Sequence, residues 1–284
     1  MRQLVVTADD VGLAAGMTRG ALEAAEHGIV TAVSVAPVGE AFDEAIAELR
    51  RVPQLDVGAH LVLVGERPLS PPGEVSSLVS RDGRLLSGFA AFCARYSHGG
   101  VRLDEVRCEL GRQLDRLLDT GLPVRHVNSH QHLHALPRIF DEVTALTAAR
   151  GIPFVRVPED PLLPPPLTPR AVALRGLRTL TRRCRRRLRA AANVAALDGT
   201  LGLAAAGHLT SGRLRALLNG SWRGPHELVS HPGSGNAELA SRYRWRYDWD
   251  AERKTLCEAM LASALAEAGI QLTSFSRLAA RGGS

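Results

Sequence analysis

Apolar runs and amphipathic stripes alternate along the first half of the chain. Residues 3–7 form an apolar, β-branched run that reads as a buried strand. A helical pattern over 17–27 stops at Gly28. A second strand is predicted over 29–37, a second helix over 42–51 and a third strand over 57–63. Residues 65–100 are first rich in Pro, Gly and Ser, then weakly helical over 89–96. A loop of that length over one end of a domain is often a lid. An amphipathic helix over 103–120 is ended by Gly121 and Pro123. Residues 125–134 read as a short strand running into a loop, followed by a helix over 138–150 and a short strand over 154–157. Strand and helix in alternation imply a parallel sheet.

The rhythm breaks over 158–225. Five prolines (Pro161, Pro164, Pro165, Pro166, Pro169) open that stretch and an Arg-rich helix follows. Its apolar positions, Leu174, Leu177, Leu180, Cys184 and Leu188, make a helical stripe. A late strand ends at His231, residues 242–249 are dense in aromatics and Arg and suit a cleft wall, and a helix over 250–268 precedes a last strand over 272–275. The expectation is one catalytic α/β domain over 1–284, an irregular, TIM-like (β/α) barrel with an inserted Pro/Arg-rich helical segment over 158–225.

Composition narrows the class. The 284 residues, 45% hydrophobic and 23% charged, suffice for an ample core. No apolar run approaches the roughly 20 residues that span a bilayer. Leu4, Val5 and Val6 before Asp9 and Asp10 are too short and too acidic a start for a signal peptide. Cys93, Cys108, Cys184 and Cys257 form no CxxC pair and read as reduced thiols of a cytoplasmic protein. Nine arginines lie between Arg170 and Arg189; taking those nine from the net +6 leaves the rest of the chain at −3. The basicity is therefore local. It suits a charged helix covering the sheet, or a peripheral contact with an anionic inner-membrane face. The run lacks aromatics, which disfavours nucleic acid.

The chemistry concentrates in Arg125-His126-Val127-Asn128-Ser129-His130-Gln131-His132-Leu133-His134, which holds four of the ten His. His130, His132 and His134 share a face only while the backbone stays extended. Imidazole is the commonest metal ligand and the usual acid or base near neutral pH. Asp9 and Asp10 follow the first strand directly; a turn and helix cap would use them equally well. His60 lies inside the third strand, where a core histidine is the plainer reading, although Gly58 hints at close approach. Asp10, His60 and His130 all stand near the C-terminal ends of separate strands, as catalytic groups do in a (β/α) barrel.

Thr7-Ala8-Asp9-Asp10-Val11-Gly12, Gly58-Ala59-His60-Leu61, the stretch from His126 to His134, and Glu227-Leu228-Val229-Ser230-His231-Pro232-Gly233 together resemble the YdjC-like carbohydrate deacetylases, a group with chitooligosaccharide and hopanoid-associated members. The resemblance spans residues 1–157 and 226–276. It implies a (β/α) barrel with one divalent metal held by Asp10, His60 and His130, with Asp9 as general base and His231 as general acid. The metal would be Mg or Zn, with Mn, Co and Ni compatible with the same ligands. His132, His134 and Asn128 would orient ligands or touch the sugar. Val11 stands where a Phe is common, Gln131 where several relatives have His, and Asn128 where Asp is frequent.

The implied reaction is removal of the acetyl group from an N-acetylated amino sugar, free or on a glycolipid such as a hopanoid glycoside. Rival readings are an amidohydrolase built on the His132–His134 pair, though that group expects its HxH on the first strand, and a basic RNA- or membrane-binding protein.

Overall fold

The computed structural model describes residues 1–162, 169–188 and 193–282; Pro164, Pro165, Pro166 and Arg189 lie outside them. Its strands are β1 (Arg2–Val11), β2 (Ala32–Val35), β3 (Asp56–Leu61), β4 (Val124–Ser129), β5 (Phe154–Val155), β6 (Gly199–Leu201), β7 (Gly224–Ser230) and β8 (Ile270–Leu272). Between them run helices α1 (Ala15–Glu26), α2 (Phe42–Leu49), α3 (Phe89–Ser97), α4 (Leu103–Leu118), α5 (Pro137–Ala149), α6 (Pro169–Leu188), α7 (Ser211–Leu218), α8 (Asn236–Arg242), α9 (Trp249–Leu256) and α10 (Leu261–Glu267), and α11 (Phe275–Gly282) follows. The sheet order is β5-β4-β3-β2-β1-β7-β6, and β8 pairs with the first residues of β1. All pairings between these strands are parallel, as the alternation predicted.

The sheet curls but does not close fully. The β5 edge meets the chain leading into β6 at an isolated bridge between Phe154 and Ala195, with Val155 N–H donating to Ala195 O at 2.9 Å. Pro153 and Pro158 flank β5. Neither has an N–H to donate, so the strand cannot lengthen into a regular barrel stave. The stretch read as an insertion contributes to the sheet itself: β6 pairs with β7, and α7 follows. The single helix expected over 250–268 is two, α9 and α10.

Alternation along each strand sorts the side chains. Leu4, Val6 and Ala8 join the main apolar core with Met17, Ala21 and Ala24 of α1. Val5 points the other way, into a small cluster with Ala32, Phe154, Leu197 and Phe275. Above that plug the interior turns polar: Thr7, Asp9, Ser34, His126, Asn128, Arg156 and Glu227 are all buried. Residues two apart on one strand thus climb from an apolar floor to a charged mouth, which is what puts the chemistry at the C-terminal ends.

The long connection after β3 is anchored along its length. Glu109 of α4, fully buried, accepts Leu69 N–H at 3.0 Å and Ser70 N–H at 2.9 Å. Glu105 accepts Ser77 N–H at 2.7 Å, and Gln113 pairs with both backbone groups of Val62 at 2.8 Å. Glu109→Ala leaves two amides without their charged acceptor, and should cost about 2–4 kcal/mol in denaturant unfolding. Hydrogen exchange at Leu69 and Ser70 should speed up; unchanged protection there would remove Glu109 as the anchor.

The basic helix is partly spent on the fold. Cys184 and Leu188 are buried, Arg185 pairs with Glu159 at 3.0 Å, and Arg187 pairs with Asp141. Among the described residues no helix is long and apolar enough to cross a membrane.

Candidate metal centre and active site

Asp9 and Asp10 are neighbours on β1, and a regular strand would send them to opposite faces. The pairing with β2 slips between Ala8 and Val11, and Asp10 has φ 66°. This bulge in a left-handed conformation turns both carboxylates into one site, a strained arrangement typical of functional positions. His60 stands one residue before the end of β3, and His130 and His231 directly follow β4 and β7.

Asp10, His60 and His130 converge, each offering a ligand atom within 4.8 Å of the others. Asp10 Oδ1 lies 3.0 Å from His60 Nε2 and 3.0 Å from His130 Nδ1. Ligand bonds of about 2.0–2.2 Å at right angles would set donor atoms about 3 Å apart.

The hydrogen-bond network fixes what faces what. Asn128 Nδ2 donates to Asp9 Oδ1 at 3.1 Å and to Ser34 Oγ at 2.7 Å. Its Oδ1 is therefore the acceptor for His60 Nδ1–H at 2.7 Å. His60 Nε2 then turns a lone pair toward the Asp10 carboxylate, and two acceptors at that separation need a cation between them. Asp10 Oδ2 and His60 Nε2 are both buried without a hydrogen-bond partner. One carboxylate and two imidazoles, of which His60 is oriented by Asn128, fit a divalent metal. Without one, a proton takes its place: burial opposes charge on His60, but Asp9 and Asp10 raise its pKa. Burial likewise opposes the Asp10 charge, yet His130 and His60 hold it well below the usual carboxylate range.

Asp9 stands beside this cluster in the grip of Arg156. Arg156 Nη1 donates to Asp9 Oδ2 at 2.5 Å and Nη2 to Oδ1 at 3.0 Å. The same guanidinium donates to Glu227 through Nε at 2.8 Å and Nη2 at 2.7 Å. Burial works against the Asp9 charge, but Arg156 and then His60 override it and hold the carboxyl well below its ordinary value. Sequence reasoning missed Arg156 and gave Glu227 no role. The available signal was a lone Arg inside the apolar strand Phe154-Val155-Arg156-Val157, with a lone Glu in a second buried strand.

His231 shares a cavity of about 160 Å³ with Asp9, Asp10, His60 and His130. Its Nδ1 is buried without a partner, its backbone N–H donates to Glu252 Oε2 at 2.6 Å, and its ring lies 5.2 Å from that of Tyr247. His132 lines the same cavity, but not by extension of β4: Gln131 and His132 have φ 53° and 54°, so the strand ends and the chain turns. His134 is carried away from the cluster by that turn. It bonds Ser129 Oγ at 2.6 Å and the Arg156 carbonyl at 2.8 Å, which orients the backbone of the arginine and contributes no ligand. The His132–His134 pair is therefore not a bidentate metal grip.

Burial pushes His126 and His134 down to about 4 from 6.5. Their folded-state values lie below the unfolded one, so stability is full above pH 6.5 and lost as pH falls toward 4. Each should account for about 3 kcal/mol over that window. Unfolding curves between pH 7 and 4 test this, and His126→Gln should flatten the slope; an unaltered slope would count against the assignment.

The chain is similar to several known proteins. A chitooligosaccharide deacetylase of Serratia marcescens is 37% identical over 152 residues, 53% of this chain and 58% of the relative. One of Enterobacter sp. (strain 638) is 38% identical over 151 residues, 52% of this chain and 57% of the relative. The match thus spans somewhat over half the length of each curated relative. A solved protein of Enterococcus faecalis V583, whose title assigns it provisionally to cellobiose-phosphate cleavage, superposes with a TM-score of 0.76 at 22% identity over 98% of both chains, a likeness of fold. The model for the family described as YdjC-like protein matches residues 3–267, so the chain belongs to the YdjC-like family.

Proposed function

We propose that this chain is a metal-dependent hydrolase that removes the acetyl group from an N-acetylated amino sugar. The observation that carries the reading is the Asp10–His60–His130 cluster, with opposed lone pairs and unpartnered buried atoms, beside an ionised Asp9 and an unpartnered His231 nitrogen. Relatives named chitooligosaccharide deacetylases support the substrate class.

A divalent cation such as Mg or Zn in the cluster would polarise the amide carbonyl and acidify a water. Asp10, His60 and His130 would hold it. Asp9 stays ionised at neutral pH and accepts the proton of the attacking water. Arg156 fixes the direction of that carboxylate. His231, from a different strand, gives a proton to the departing nitrogen, since an amine leaves poorly until protonated. The C–N bond breaks as the new C–O bond forms, and acetate and a free amino sugar result.

Acetate release from N-acetylglucosamine and its oligomers should require added divalent metal after chelation. Asp10→Ala, His60→Ala and His130→Ala should each lose bound metal by elemental analysis and release no acetate. Full activity in any of the three would overturn the cluster's role, and no release from the whole sugar panel would overturn the substrate class.

A further inference from the structure

Gly202-Leu203-Ala204-Ala205-Ala206-Gly207 follows β6 as a run of small and apolar side chains. It folds into a single 3-10 turn over Leu203–Ala205, with Ala205 N–H donating to Gly202 O at 2.9 Å. Leu203 and Ala206 line the cavity of about 160 Å³ that holds the metal cluster, Asp9 and His231. Apart from these two and the Tyr247 ring, that lining is polar. Leu203 is 3% exposed and Ala206 8%, yet neither joins the two apolar clusters of the interior, whereas Ala205 and Leu209 do. Their apolar surface is therefore turned to the cavity and not to the core.

We propose that this turn is the acyl gauge of the site: Leu203 and Ala206 receive the methyl of the acetyl group and set the length of acyl chain that is accepted. This rests on the deacetylase reading, which puts the amide in that cavity.

An N-acetyl group presents a carbonyl oxygen, a nitrogen that carries the sugar, and a methyl. The oxygen suits the cluster and the nitrogen suits His231, which leaves the methyl to be placed. Against Leu203 and Ala206 it is buried on an apolar wall. Against Asp9, Ser129 or His132 it would take water from a polar group and return no hydrogen bond.

A gauge must not yield, and the turn is pinned at both ends. Gly202, with φ 88°, is pressed on β7: a Cβ there would lie 3.0 Å from Leu228 Cδ1 and from Val229 O. Buried Asp160 accepts the N–H groups of Gly202 and Leu203, besides that of Leu162 at 2.8 Å. At the far end buried Glu252 accepts the N–H of Gly207, that of Leu209 at 3.1 Å and that of His231 at 2.6 Å. One carboxylate thus fixes the end of the wall together with His231. Gly207, with φ 77°, has no side chain where the Tyr247 ring packs, so the ring comes in beside Ala206.

The test compares amine release from N-acetyl, N-propionyl and N-butyryl glucosamine, and from the same derivatives of its β-1,4-linked dimer, with divalent metal supplied. In the unmodified chain kcat/KM should fall at least about tenfold from acetyl to propionyl, the order set by one methylene in a fitted pocket. Leu203→Ala should shrink that ratio at least about tenfold, and Leu203→Val, the milder truncation, should move it the same way by less. Leu203→Met, of similar volume, should keep the ratio within about threefold. Ala206→Val should lower kcat/KM for the acetyl sugars at least about tenfold with bound metal unchanged. Calorimetric binding of the same sugars to the chelated protein is the second reading. A ratio below about threefold in the unmodified chain, or one that neither Leu203→Ala nor Leu203→Val moves, would overturn the gauge. Release that ignores acyl length sinks the gauge and leaves the hydrolase. Binding selective for acetyl without any release sinks the hydrolase and leaves the gauge, and neither release nor selective binding sinks both.

Discussion

Arg156→Met should lower the unfolding free energy by about 3–5 kcal/mol, the cost of removing one partner from a buried ion cluster. Arg156 is 4% exposed and is the shared counter-ion of two buried carboxylates, Asp9 and Glu227. Glu227 accepts one further bond, from Thr7 Oγ1 at 2.6 Å. Without the guanidinium both acids are left buried without their shared counter-ion, and at least one must take up a proton. A carboxyl whose folded pKa rises above its unfolded value loses stability as pH climbs through that interval. The deficit of the variant should therefore be largest near neutral pH and shrink toward pH 5. Arg156→Lys keeps the charge but has no planar fork to span both acids, and should fall between the two. Denaturant unfolding at two pH values measures this; a deficit under about 1 kcal/mol at pH 7 would show that the cluster is not held by Arg156.

The sequence announced the strand tips better than what fills the space between them. Asp10, His60, His130 and His231 could be set at the ends of four strands because apolar runs and their punctuation are local signals. The bulge at Asp9 and Asp10 was not legible, since a slip in pairing depends on the partner strand. The turn at Gln131 and His132 shows the limit set on the alternate histidines: they share a face only as long as the strand persists, and β4 ends at Ser129. Arg156 escaped notice because its partners lie on β1 and β7, far away in the chain. β6 is three residues long and sits behind a Pro- and Arg-rich run, too short for any periodicity to show. The 65–100 stretch read as a lid lends Gly65, Glu66, Arg84 and Ser87 to the wall of a cavity of about 370 Å³ beside His130, and is pinned by buried acids of α4 that looked in sequence like one face of an amphipathic helix.

Asp9→Asn separates holding the metal from using it. The substitution leaves Asp10, His60 and His130 untouched, so bound metal should stay near the unmodified level. Asn128 keeps an acceptor at position 9 if the new amide turns its oxygen that way, and the His60 orientation survives with it. The amide nitrogen then faces Arg156 Nη1, where two donors meet in place of the 2.5 Å ion pair. Some stability is lost, less than in Arg156→Met, because Arg156 retains Glu227. What disappears outright is an ionised group able to take a proton beside the cluster. Turnover should fall by about 10²–10⁴, the ordinary worth of a positioned base. Asp10→Asn is the contrasting variant: it weakens the carboxylate shared by both histidines, and metal content should drop before turnover is considered. Elemental analysis and acetate release on the two proteins give opposite patterns if Asp9 is the base, and an Asp9→Asn protein as active as the unmodified chain would move that role to His132 or His231.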